Sequence, residues 1–332
     1  MSRHPRTLIG EALQDSERLL LVTHIRPDGD AIGSLLGLGL ALLEAGKSVQ
    51  MVLDDHVPVQ FQHLAGSEMI QRTIQADFEL AIALDCSDRS RLGRFGQELD
   101  MWNINIDHHV TNTGYAQINL IEPEAVATAE IIATNLEGWG FKISKAVANA
   151  LLMGILTDTI GFRTYNMRSS VLRLAAELMD SGANLPELYA RNVYQKPFEA
   201  VKMWGSGLSR LQRRDGIIWT VLTNQDRQMA GYAGKDDADM INLLTAIEDV
   251  KISIVFVEQP NGKVKISWRA IPGVDVSQVA SEFGGGGHPA AAGAELSGDI
   301  QNLSEIVLEK TYLHLKENQK HSENSKEHRV RL

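Results

Sequence analysis

The sequence predicts an α/β protein, with an N-terminal domain built on a parallel sheet, a helical connection and a smaller α/β C-terminal domain. Three observations carry this. Apolar runs at 19–23, 80–84 and 102–106 are short and bounded by turn residues, as buried parallel strands are. The first run leads through an apolar helix to a second strand, a strand-helix-strand unit. At 332 residues the chain exceeds the usual size of one hydrophobic core, so two domains are expected.

Taken in order, residues 7–17 read as an amphipathic helix before the first strand. The segment AIGSLLGLGLALLEAG after Asp30 is apolar on every face, so it is a buried helix, with Gly46 at its C-terminus and internal glycines allowing close approach to the sheet. Residues 48–53 form the next strand, and Asp54-Asp55 a solvated turn. Strands at 80–84, 102–106 and 115–120 follow, then helices over 127–137 and, after Ser144 as N-cap, through an apolar stretch to Asp158. Helical patterns at 169–179, 185–194 and 197–211 contain no intervening strand and place the domain connection. Beyond them come a strand at 217–222, a helix at 238–248 and two strands, 252–258 and 263–270, joined through Pro260-Asn261-Gly262, a hairpin signal. A helix, a glycine run, a further strand and a final helix complete the pattern. The expected partition is 1–190, a helical linker at 191–210, a second domain at 211–315 and a disordered polar tail at 316–332.

A net charge of −10 argues against a surface that coats long nucleic acid, so a polyanionic substrate must meet a local basic cluster or metal ions. The single cysteine, Cys86, rules out an internal disulfide and fits a reducing compartment; beside Asp85 it reads as a small buried residue rather than a nucleophile. The N-terminus lacks a signal-peptide core, and no run approaches the roughly 20 apolar residues of a membrane span. The expected location is the cytoplasm, with no membrane partner.

The chemistry lies where strands end. The first run stops at His24-Ile25-Arg26-Pro27-Asp28-Gly29-Asp30, the second at Asp85 and the third at Asp107-His108-His109, while Asp158 closes an apolar helix. In open α/β sheets ligands collect beyond the carboxyl ends of the strands. Each of these residues alone reads equally well as a helix cap or loop opener. Together they form a set of carboxylates and imidazoles without thiolates, suited to Mn²⁺ or Mg²⁺. They are too many for one ion. Two ions about 3.5–4 Å apart, bridged by a carboxylate, would use them all and supply a hydroxide for attack on phosphorus. In the second domain, Gly284-Gly285-Gly286-Gly287-His288 offers backbone N–H groups to an anion, and Arg269 on the preceding strand is a fork for a terminal phosphate.

This order of residues resembles the DHH phosphoesterase superfamily with its DHH-associated C-terminal domain, over roughly residues 7–315. In length the chain is similar to the NrnA-type oligoribonuclease and pAp-phosphatase branch, which includes enzymes that hydrolyse cyclic di-AMP or its linear product pApA. The resemblance implies two Mn²⁺ ions, one on His24, Asp28 and Asp85, the other on Asp30, Asp85, His108 and Asp158. It implies that Asp107 orients its neighbours, that His109 contacts the scissile phosphate, and that Arg269 with Gly284, Gly285, Gly286, Gly287 and His288 holds the far end of the nucleotide across a cleft closed at that end. Ala270 and Ile160 depart from the Ser and Gly that members often carry. The implied activity is release of 5′-mononucleotides from short oligoribonucleotides, pApA and pAp. Partners would be short RNA or nucleotides and, as an assembly the pattern allows, a second copy of the chain, but not long duplexes. The alternatives are a cyclic di-AMP phosphodiesterase and a non-catalytic nucleotide sensor, and the intact ligand set argues against the sensor.

Overall fold

The computed structural model describes the backbone of residues 3–330 and the side chains of 3–317. Residues up to Gln195 form one compact unit and those from Lys196 a second.

The first unit opens with α1 (Pro5–Asp15) and β1 (Arg18–Thr23), followed by α2 (Gly29–Glu44) and β2 (Ser48–Val52). After a long loop come β3 (Leu80–Leu84), the single-turn α3 (Phe95–Glu98), β4 (Ile104–Asp107) and β5 (Ile118–Ile121). The sheet order is β2-β1-β3-β4-β5 with every pair parallel. The chain steps one way from β1 to β2 and the other way from β1 to β3, so the switch point of the sheet lies between β1 and β3, where ligand crevices form. All five residues of β3 are buried, as expected for a central parallel strand covered on both faces. The fourth and fifth strands start two and three residues later than the apolar runs suggest. Trp102 lies before β4 and is 1% exposed, so its run is apolar because it fills the core beside Leu92 and Phe95, not because all of it pairs.

Four helices follow: α4 (Thr128–Leu136), α5 (Lys145–Asp158), α6 (Ser169–Asp180) and α7 (Leu185–Tyr189), the last running into a π turn over 190–194. Ser144 caps α5 through Val147 N. Residues 29–42 of α2 are buried, and its glycines serve a helix as well as the sheet. A Cβ on Gly33 would lie 2.6 Å from the Ala150 carbonyl oxygen of α5, so α2 and α5 pack backbone to backbone. That contact brings the start of α2, with Asp28 and Asp30, beside the end of α5, with Asp158.

In the second unit, α8 (Phe198–Ser209) is not a free linker: Ala200 and Met203 are fully buried in a core with Leu222, Met240 and Val255. An edge strand, β6 (Gln212–Arg214), precedes β7 (Ile217–Leu222); α9 (Asn224–Ala230) and α10 (Met240–Leu244) lead to the hairpin β8 (Ile252–Glu258) and β9 (Lys263–Ala270). Then follow α11 (Val276–Glu282), β10 (Gly286–His288), β11 (Ala291–Ser297) and α12 (Ile300–Val330). The sheet order is β10-β11-β9-β8-β7-β6, with β7–β8 parallel and the other pairs antiparallel. The helix expected over 238–248 shortens to α10, and α9 is additional; its Thr223–Asp226 capping box is a start signal present in the sequence. The backbone of α12 is helical to Val330 where a disordered tail is expected from 316, and the side chains of that segment from 318 lie outside the described residues.

Candidate metal and active site

β1, β3 and β4 are neighbours in the sheet, so their carboxyl ends bring three acidic and imidazole segments side by side. Asp85 immediately follows β3 with φ 55, a left-handed conformation that Asp tolerates better than most residues. Its two oxygens face different ways. Oδ2 lies 3.5 Å from His24 Nε2, and Oδ1 lies 3.7 Å from His108 Nε2 and 3.6 Å from His109 Nδ1. His24 Nε2 is also 3.8 Å from Asp28 Oδ1, and His108 Nε2 is 3.8 Å from Asp30 Oδ2 and 3.4 Å from Asp158 Oδ2. Among the described residues three groups have ligand atoms within 4.8 Å of one another: His24, Asp28 and Asp85; Asp30, His108 and Asp158; and Asp85, His108 and His109.

The imidazoles are oriented by the backbone. His24 Nδ1 is 2.8 Å from the Ile25 carbonyl and His108 Nδ1 is 3.2 Å from the Ala125 carbonyl. With each Nδ1–H donated to a carbonyl, both Nε2 atoms turn toward the carboxylates, the orientation that metal-ligating histidines use. Asp28 is the N-cap of α2, accepting Ala31 N at 3.0 Å through Oδ1, so the carboxylate that caps the helix is also the one that faces His24. Asp107, fully buried, accepts from His108 N, His109 N and His109 Nδ1, the last at 2.7 Å, and thereby fixes the His109 ring.

Burial lowers the His24 imidazole, but hydrogen bonding and charge from Asp28 and Asp85 outweigh it and raise it to about 10. Burial likewise works against His108, yet Asp85 and Asp30 hold it above its ordinary value. Asp30 is pushed well above the carboxylate range by burial and then by Asp85 and Asp158. Asp158, though 30% of its side chain is accessible, is pushed up by burial and then by Asp28 and Asp85. Burial also raises Asp85, but His24 and the other imidazoles win and hold it below the usual range. Carboxylates crowded until two of them resist ionisation are what a cation relieves. The all-oxygen-and-nitrogen donor set fits hard or borderline divalent ions.

Residues outside the expected set complete the site. Ala127, at the N-cap of α4, has no capping side chain; Thr128 N and Ala129 N instead donate to Asp30 at 2.6 and 2.9 Å, and Thr128 Oγ1 donates to Asp85 at 3.0 Å. The helix N-terminus thus holds the Asp30 carboxylate. Asp54 and Asp55 are more than a solvated turn: Asp55 accepts the backbone N–H of Arg26, itself at φ 54, and Asp54 accepts Arg94 N at 3.0 Å. A missing cap side chain before a buried helix was the one sequence signal for Thr128. Cys86 is fully buried with its thiol pushed up to about 12, chiefly by burial, which disfavours the thiolate that a nucleophile needs.

Asp158 ends α5, whose C-terminus closes with Ile160 N to Thr157 O at 3.1 Å and Gly161 N to Leu156 O at 2.8 Å. Ile160 stands at φ 51, a position that favours glycine. We expect Ile160→Gly to be more stable than Ile160→Ala by about 1 kcal/mol, the reverse of the usual Ala-over-Gly order, because both lose the same side chain and only glycine escapes the left-handed penalty. Thermal denaturation of the two variants reads this directly, and Ala above Gly would refute it.

In the second unit, Arg269 pairs with Ala291, and Ala291 with His288, so the three residues share one rung and one sheet face. Asn242 Oδ1 accepts from Arg269 Nε at 3.3 Å and the Trp268 carbonyl from Nη1 at 3.0 Å. Burial lowers the guanidinium from its ordinary value, with Asp237 and Asp239 opposing, and no carboxylate stands within ion-pair distance of it among the described residues. The glycine run is part strand. Gly284 ends α11 at φ 70, and a Cβ on Gly287 would lie 2.4 Å from the Ala291 carbonyl oxygen. Gly286, by contrast, has nothing within 4 Å of a built Cβ and no positive φ. Neither neighbouring atoms nor backbone angle explains that glycine; a ligand approaching the backbone would.

The DHH family N-terminal domain matches residues 18–155, and the DHHA1 domain matches residues 225–311. The chain is 35% identical over 307 residues to the bifunctional oligoribonuclease and PAP phosphatase NrnA of Thermus thermophilus, covering 91% of this chain and 92% of that one. An exopolyphosphatase-related protein from Bacteroides fragilis has the same fold, with a TM-score of 0.88 at 22% identity over 95% of this chain and 97% of its own. RecJ of Thermus thermophilus in complex with Mn²⁺ aligns at a TM-score of 0.50 and 14% identity, over 94% of this chain and 54% of that one.

Proposed function

This chain belongs to the DHH family, and we propose from that premise that it is a divalent-metal-dependent phosphoesterase acting on short oligoribonucleotides, pApA and pAp to release 5′-mononucleotides. The observation that carries the reading is Asp85, with its two oxygens turned to two separate groups of ligands. His24, Asp28 and Asp85 would hold one cation, and Asp30, Asp85, His108 and Asp158 the other, Mn²⁺ being the ion we favour over Mg²⁺ for a mixed imidazole and carboxylate set. When bound, such a pair supplies Lewis acidity at the phosphoryl oxygens and a water of lowered pKa.

The protein's own part is placement. Thr128 and the α4 N-terminus hold Asp85 and Asp30, so the carboxylates need not reorganise when charge develops. Asp107 fixes the His109 ring through Nδ1, and His109 is assigned to the scissile phosphate. Arg269, His288 and the backbone at Gly286 are assigned to the terminal phosphate of the substrate. The acidic net charge supports short substrates, which need no long basic track. No helix among the described residues is long and apolar enough to cross a membrane.

The test is a panel of initial rates with Mn²⁺ on pAp, pApA, cyclic di-AMP and 5′-labelled RNA from 2 to 20 nucleotides. Rates should fall steeply by about 10 nucleotides, since positioning by a terminal phosphate is lost on longer strands. Equal rates on 2-mers and 20-mers would overturn the short-substrate assignment, and faster cleavage of cyclic di-AMP than of pApA would replace it with a cyclic dinucleotide phosphodiesterase.

A further inference from the structure

The peptide between Cys86 and Ser87, one beyond Asp85, is held by more donors than a turn requires. The Cys86 carbonyl oxygen accepts from Asn105 Nδ2 at 3.0 Å, Asn112 Nδ2 at 3.2 Å and Tyr115 Oη at 3.1 Å, three side chains on one oxygen that has two lone pairs. Asn112 does two things at once, because the same amide nitrogen donates to Asp107 Oδ2. Its orientation is fixed independently: Asn112 Oδ1 accepts Gly114 N at 2.8 Å, so the nitrogen must be the atom that faces Cys86 and Asp107. Thr113 N adds a bond to the Ser87 carbonyl at 3.0 Å, tying the same two loops together one residue further on. Asn105 is fully buried inside β4, where a polar side chain is costly unless it has such work.

The place that is clamped matters more than the number of bonds. Asp85 sits at φ 55, outside the strand conformation of Leu84 before it. The clamp on Cys86 holds the chain in that turn, and the turn is what aims one oxygen of Asp85 at His24 and the other at His108 and His109. Through Asp107 the same amide also holds the support of the His109 ring. One side chain therefore registers the loop of Asp85 against the loop of the two histidines.

We propose that Asn112, seconded by Tyr115 and Asn105, is a positioning residue that sets the bridging geometry of Asp85 while touching neither an ion nor substrate. The proposal rests on the two-cation reading above. Partners of this kind, one bond removed from a metal, are worth about 10–100-fold in metal affinity or activity.

The experiment titrates the stripped full-length chain with Mn²⁺, following stoichiometry by calorimetry and the exchange-coupled electron paramagnetic resonance signal of a bridged pair. Wild type should take two ions and give the coupled signal. Asn112→Ala should bind its first ion with affinity within about threefold of wild type, lose about tenfold or more in affinity for the second, and show a weakened or absent coupled signal. Its kcat should fall with KM for pApA little changed, which a general loss of structure would not produce. Tyr115→Phe removes one hydroxyl and no bulk, keeps the fold testable if Asn112→Ala does not fold, and should shift the coupled signal in the same direction by less. A coupled signal and second-ion affinity unchanged in both variants, in a wild type that does take two ions, would overturn the role of Asn112. A wild type that takes a single ion would instead overturn the two-cation reading itself and remove the bridge that Asn112 is said to set.

Discussion

Asp85→Asn is expected to lower kcat by at least about a thousandfold while leaving the circular dichroism spectrum and the thermal midpoint near those of wild type, because metal assistance contributes several kcal/mol to the barrier and about 1.4 kcal/mol is a factor of ten. Asn has the shape of Asp, tolerates the left-handed φ of 55 at this position and leaves an oxygen to accept the Thr128 hydroxyl, so the fold has little reason to change. What disappears is the second anionic oxygen, and with it the means of serving His24 on one side and the paired histidines on the other. Ion stoichiometry by calorimetry should fall alongside kcat. A variant that turns over pApA at near the wild-type rate with Mn²⁺ would show that Asp85 bridges nothing.

Replacing Arg269 by Ala should raise KM for pAp and pApA by about 10- to 100-fold, the effect of losing a charge-assisted hydrogen bond to a phosphate, and should change KM for a cyclic dinucleotide much less. The guanidinium is aimed by Asn242 and the Trp268 carbonyl, and under the proposed function its other donors would meet the terminal phosphate. Arg269→Lys should recover little, since a single ammonium cannot reproduce the fork. Gly286→Ala is the companion: a Cβ there meets no atom of the protein, so stability should hold while KM for the phosphate-ended substrates rises. If KM for pAp stays at its wild-type value in Arg269→Ala, the residue is part of the sheet and nothing more.

Much of this was legible in the chain itself. The strand positions at 80–84, 217–222, 252–258 and 263–270 follow from short apolar or alternating runs between turn signals, because the burial of those runs is a local property of composition. The candidate ligands were legible for a related reason: a strand of a parallel sheet that stops at Asp or His delivers that side chain to one edge, whichever neighbours it acquires. Less was legible where identity depends on partners far away in sequence. The run at 102–106 starts as core filling, and α8, read as a linker, is bound into a core by Ala200 and Met203.

Tertiary structure alone decided how the candidate ligands are held. Asp30 receives the N–H groups of a helix that begins 98 residues later, and the Cys86 carbonyl collects Asn105, Asn112 and Tyr115 from the next strand and its loop. It also decided which glycines in the run at 284–287 serve the backbone and which one, Gly286, has neither a close neighbour nor a positive φ. The reason is that a sequence pattern reports what a residue prefers, burial or a turn, whereas a hydrogen bond of about 3 Å requires two groups whose separation is set only when the sheet order and helix packing are complete. Residue types at the strand ends therefore announced the chemistry, and the fold supplied the distances and the supporting donors that this chemistry needs.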